Sequence, residues 1–99
     1  MMEEKTSPAT GRIRKHVWYS GHVQGVGFRY TAHRLAQRYG VAGFVRNLRD
    51  GRVELVAEGQ PSEVEAFLNA VSQAMAGYIT HQETVCESPE GLTHFRIAY

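Results

Sequence analysis

Apolar positions along this chain switch between a period of roughly 2 and a period of roughly 3.6 residues, the two spacings of strand and helix faces. Ile13–Ser20 is rich in β-branched and aromatic residues (Ile13, Val17, Trp18, Tyr19) and predicts a first strand. Phe28, Ala32, Leu35, Ala36 and Tyr39 then recur at i, i+4, i+7, i+8 and i+11. They mark one face of an amphipathic helix, with Arg34, Gln37 and Arg38 off that face and Gly40 as its stop. Val41–Leu48 and Val53–Ala57 read as two further strands, joined through Arg49-Asp50-Gly51, where Asp-Gly signals a hairpin. Val64, Phe67, Leu68, Val71 and Met75 give a second helical face that ends at Gly77. Two signals compete for its start, Pro61 at a first helical position and a capping box at Ser62-x-x-Glu65. Thr80 to Val85 or Cys86 predicts a fourth strand, Ser88-Pro89-Glu90-Gly91 a turn, and Thr93–Tyr99 a last strand. Residues 1–12 show no periodicity and are expected to form a disordered tail before a single domain at 13–99.

The order strand, helix, strand, strand, helix, strand, strand points to the α+β class. The expected architecture is a ferredoxin-like split β-α-β sandwich, an antiparallel sheet with both helices on one face. At 99 residues the chain has length for one core. A net charge of +1, with arginines scattered from Arg12 to Arg96, gives no reason to expect a nucleic acid or an anionic membrane as partner. Cys86 is the only cysteine, which rules out an intramolecular disulfide and a cysteine-based zinc site and fits a reducing cytoplasm. With no long apolar run and no apolar leader, the expectation is a cytoplasmic protein, monomeric by default.

The chemistry concentrates in Gly21-His22-Val23-Gln24-Gly25-Val26-Gly27-Phe28-Arg29. Three glycines in seven positions allow a tight backbone whose N–H groups approach a ligand, and Arg29 opens a helix where the macrodipole favours an anion. Loop, helix N-terminus and guanidinium together describe a metal-free phosphate site. His16, His22, His33, His81 and His94 lack metal-ligand spacing, so no metal is expected. Gln24 can either donate to a ligand or brace the loop. Phe28 reads as core, and Val26 as a loop residue contributing its N–H.

That segment, taken with Gly43-Phe44-Val45-Arg46-Asn47-Leu48-Arg49-Asp50-Gly51-Arg52-Val53-Glu54, resembles the paired signatures of the acylphosphatases, and the resemblance extends over Ile13 to Tyr99. It implies hydrolysis of the carboxyl–phosphate anhydride of small acyl phosphates without metal or organic cofactor. By the same resemblance, Arg29 holds the phosphoryl group and Asn47 orients the attacking water. His22, Val23, Gln24, Gly25, Val26 and Gly27 donate backbone N–H groups to the phosphate oxygens. Leu48 and Ala98 depart from the family pattern, which often has a hydroxyl residue at the first position and a basic residue at the second. The alternative is a non-catalytic ferredoxin-like module that binds RNA or a small ligand, with Trp18, Tyr19 and Phe44 as stacking rings. The strands lack the aromatic pattern of RNA-recognition domains, and core packing accounts for those rings more simply.

Overall fold

The computed structural model describes residues 11–99. Apart from Gly11 and Arg12, the tail expected over residues 1–12 lies outside the described residues. The elements are β1 (Ile13–Gly21), α1 (Phe28–Tyr39), β2 (Ala42–Asn47), β3 (Val53–Gly59), α2 (Pro61–Ala74), β4 (Ile79–Glu87) and β5 (Phe95–Ile97). Gly40 closes α1 in the left-handed conformation with φ 63°. At α2 the proline prevails over the capping box, because Gln60 is the extended cap residue and Pro61 the first helical position. That helix ends at Met75, ahead of Gly77.

The strands form one sheet in the order β4-β1-β3-β2-β5. Alternation puts Val17 and Tyr19 of β1, Val45 of β2 and Val53 and Leu55 of β3 into a core with Phe28, Ala32 and Leu35 of α1 and Val64, Phe67 and Val71 of α2. Phe67 meets Phe95 edge-on at 5.5 Å between ring centroids, which ties α2 to the short last strand.

Four strands pair antiparallel. The expectation of a wholly antiparallel sheet is corrected at one edge, where β5 runs parallel to β2 with Gly43 opposite Phe95 and Val45 opposite Ile97. Chain length explains the exception. Leaving β4 at one edge and joining β2 at the other means crossing four inter-strand gaps, roughly 19 Å. Residues 88–94 span at most about 25 Å when extended, enough to cross the sheet's end but not to climb back along it. β5 therefore starts at the end of the sheet where β4 stops.

A buried carboxylate holds this crossing segment. Glu58 of β3 accepts the N–H groups of Glu90 at 2.8 Å, Gly91 at 3.1 Å and Leu92 at 3.0 Å, and a guanidinium N–H of Arg14 at 2.8 Å. Arg14 also donates to Glu87 at 2.7 Å. Burial opposes the charge on Glu58, but these donors outweigh it and hold the carboxyl below its usual range. Beside it on the same face, His16 bridges Glu54 at 2.7 Å and Glu87 at 2.8 Å.

Candidate active site

β1 brings the chain to Gly21, where the sheet constrains it first. A Cβ on Gly21 would lie 2.3 Å from the carbonyl oxygen of Tyr78. The N–H of His22 donates to that same carbonyl at 2.9 Å. Gly21 is therefore a packing glycine at the β1–β4 junction. His22 is corrected as a phosphate donor, because its N–H is committed to Tyr78 and its side chain is exposed.

Beyond His22 the backbone opens. Gly25 and Gly27 have φ of 78° and 80°, and a Cβ at either would meet open space. Gly27 is the N-cap residue of α1, with no side-chain cap and no acidic residue in the first turn. Among the described residues no backbone acceptor takes the N–H groups of residues 23–27. A helix start leaves several N–H groups unpaired, and a good cap is worth about 1 kcal/mol. This helix forgoes the cap and presents those donors to whatever sits before it. An anion is the complementary occupant.

The loop is set against the β2–β3 hairpin by Gln24. Its side-chain amide donates to the carbonyls of Leu48 at 2.7 Å and Arg52 at 2.9 Å. Both N–H bonds of that amide are thereby used, so the side chain braces the loop. The hairpin itself closes through the N–H of Leu48 to the Arg52 carbonyl at 2.8 Å. Asn47, the last residue of β2, is thus held beside the loop.

One cavity of about 300 Å³ is lined by Val23, Gly25, Gly27, Phe28, Arg29, Tyr30, Asn47, Ile97 and Tyr99. It gathers Val23, Gly25, Gly27, Arg29 and Asn47 of the sequence-derived candidates. Gln24 and Val26 do not line it; Val26 packs on the core, and what these two leave without a backbone acceptor among the described residues is their N–H groups, like those of Val23, Gly25 and Gly27. The Arg29 guanidinium lies 5.1 Å from the ring centroid of Tyr99. No carboxylate among the described residues comes within ion-pair reach of it. Among the described residues the cationic end is thus without an ion-pair partner. The Asn47 amide likewise has no partner among the described residues, so it can hold a water.

Tyr30, Ile97 and Tyr99 were not expected at the site. Ile97 and Tyr99 reach it because β5 runs parallel to β2, and that direction is the signal that would have placed them. A larger cavity, about 580 Å³, opens at the far end of α1 between Gly40 and the Gly91–Phe95 segment and shares no residue with the loop. Among the described residues no helix is long and apolar enough to cross a membrane.

Known proteins resemble this chain over most of its length. The profile described as Acylphosphatase matches residues 15–97. An acylphosphatase of Synechococcus sp. is 52% identical over 87 residues, covering 87% of this chain and 93% of that one. The crystal structure of acylphosphatase from Bacillus subtilis superposes with a TM-score of 0.80 at 34% identity, covering 88% of this chain and 99% of that one. The unit also occurs within a much longer protein: T. kodakarensis HypF matches 88% of this chain with 12% of its own, at 30% identity and a TM-score of 0.77. With the profile spanning nearly the whole described domain, the chain belongs to the acylphosphatase family.

Proposed function

We propose that this protein hydrolyses the carboxyl–phosphate anhydride of small acyl phosphates, releasing a carboxylate and inorganic phosphate. The observation that carries the reading is one cavity in which a helix N-terminus without a side-chain cap, the Arg29 guanidinium and the Asn47 amide converge, the last two without partners among the described residues. The N–H groups of residues 23–27 and the planar fork of Arg29 receive the phosphoryl oxygens. Phosphoryl transfer passes through a loose transition state with charge on those oxygens, so fixed donors around them lower the barrier directly. Asn47 orients a water in line with the bond to be broken. Water oxygen bonds to phosphorus as the phosphorus–oxygen bond to the acyl group breaks, and the electron pair leaves on the carboxylate. The water proton passes to a phosphate oxygen. A carboxylate is a good leaving group, so no general acid and no strong base are required, and an amide suffices where other hydrolases place a carboxylate or histidine.

The reading also makes the protein a cytoplasmic monomer with no nucleic-acid, membrane or metal partner. Its near-balanced charge and single cysteine support this. The decisive assay is disappearance of benzoyl phosphate with EDTA present, for the wild type beside Arg29→Ala. EDTA-resistant turnover that vanishes in the variant is the expected result. A folded wild type that leaves benzoyl phosphate intact would refute it and favour a non-catalytic anion-binding module.

A further inference from the structure

Two large aromatic side chains stand in solvent without serving the core. Tyr99 is 97% exposed and Tyr30 is 66% exposed, yet both line the cavity that contains Arg29 and Asn47. They come from distant parts of the chain: Tyr30 is the third residue of α1, and Tyr99 follows β5. Each lies near a cation. The Arg29 guanidinium lies 5.1 Å from the Tyr99 ring centroid, and that of Arg34 lies 6.0 Å from the Tyr30 centroid. The backbone before Tyr99 is fixed as well, because the N–H of Ala98 donates to the Val45 carbonyl at 2.9 Å. Exposed aromatic surface lining a cavity that also holds a guanidinium and an amide is surface for a ligand.

We propose that Tyr30 and Tyr99 form the acyl-recognition cleft, selecting acyl phosphates whose acyl group is a flat aromatic ring. This rests on the reading that the loop and Arg29 bind the phosphoryl end. With that end seated against the N–H groups of residues 23–27, the acyl substituent meets the part of the cavity lined by Tyr30, Ile97 and Tyr99. A ring there stacks on or meets the edge of either tyrosine. An acetyl group is too short to use that surface. The tyrosines act on specificity, while the bond cleavage belongs to Arg29, Asn47 and the loop.

The test is kcat and KM for benzoyl phosphate and acetyl phosphate, measured on the wild type, Tyr30→Ala, Tyr99→Ala and Tyr99→Phe. The two substrates differ in intrinsic reactivity, so the quantity read is the benzoyl-to-acetyl ratio of kcat/KM in each variant relative to the wild type. Loss of one aromatic contact is expected to lower that ratio about 3- to 10-fold, mainly through KM for benzoyl phosphate. Tyr99→Phe keeps the ring and is expected to keep the ratio. Inhibition by inorganic phosphate separates the cleft from an indirect effect through Arg29. Phosphate has no acyl end, so its inhibition constant should move much less than KM for benzoyl phosphate. An unchanged ratio in both alanine variants, or equal losses for both substrates and for phosphate, overturns the cleft while leaving the hydrolase intact. A wild type that turns over neither substrate overturns the hydrolase reading and the cleft with it.

Discussion

Arg29 presents several N–H donors on one rigid plane, whereas a lysine offers a single flexible ammonium. Arg29→Lys is therefore expected to lose about 10²- to 10³-fold in kcat/KM, as removal of a preorganised donor does. Near wild-type rates in that variant would remove the fork from the mechanism. Asn47→Ala should lower kcat while inorganic phosphate still inhibits at nearly the wild-type concentration, since the amide positions water and does not hold the anion. The opposite pattern, weakened phosphate binding at unchanged kcat, would reverse the two roles. Tyr19 poses a different question. Its ring packs 4.9 Å from Phe28, but its hydroxyl is buried without a partner among the described residues, and burial pushes the phenol far above its usual range. Tyr19→Phe keeps the ring and removes the unpaired oxygen, so urea unfolding should show equal or greater stability, by about 1 kcal/mol. A clear loss would mean that the hydroxyl has a partner such as a buried water. That Arg29 and Asn47 belong to one cavity was legible in the sequence, because each stands inside its own motif. The role of Gln24 was not, because its acceptors, Leu48 and Arg52, belong to a hairpin more than twenty positions away.

Along the β1–α1 connection, the glycines divide by what surrounds them. At Gly21 an added methyl collides with the Tyr78 carbonyl at 2.3 Å, so Gly21→Ala should cost more than about 2 kcal/mol by overpacking and backbone strain. At Gly25 the space is open and only the positive φ is strained, so Gly25→Ala should cost about 1–2 kcal/mol and leave the domain folded. Thermal unfolding of the two variants tests this ranking; equal losses would contradict it. Sequence alone treated these glycines as one set, because backbone conformation shows in a sequence and a neighbouring carbonyl does not. The helices were legible almost to the residue, since their apolar faces repeat locally. The direction of β5 was hidden, being decided by the distance its connection must cover.

For the molecule as a whole, the Glu58 clamp links acid stability to the placement of β5. Its carboxyl is held lower in the folded chain than in the unfolded one, so folding is favoured wherever it is ionised. That contribution is complete above the unfolded glutamate value, about pH 4.3, and is lost as pH falls through the lower folded value. Glu58→Gln should therefore be less stable at neutral pH by about 2–3 kcal/mol, the worth of a hydrogen bond to a charged group. Its urea midpoint should also depend less on pH between 7 and 3, and parallel slopes for variant and wild type would show that the acid sensitivity lies in other carboxylates. The parallel last strand has one more consequence, for how this protein is handled. It sets Tyr99 beside the cavity that holds Arg29 and Asn47, whereas Ile13 begins β1 about 25 Å away toward the other end of the sheet. A tag or fusion partner joined after Tyr99 would start beside the departing carboxylate and alter the water it leaves into, so rates measured with such an extension would describe the appendage as much as the enzyme.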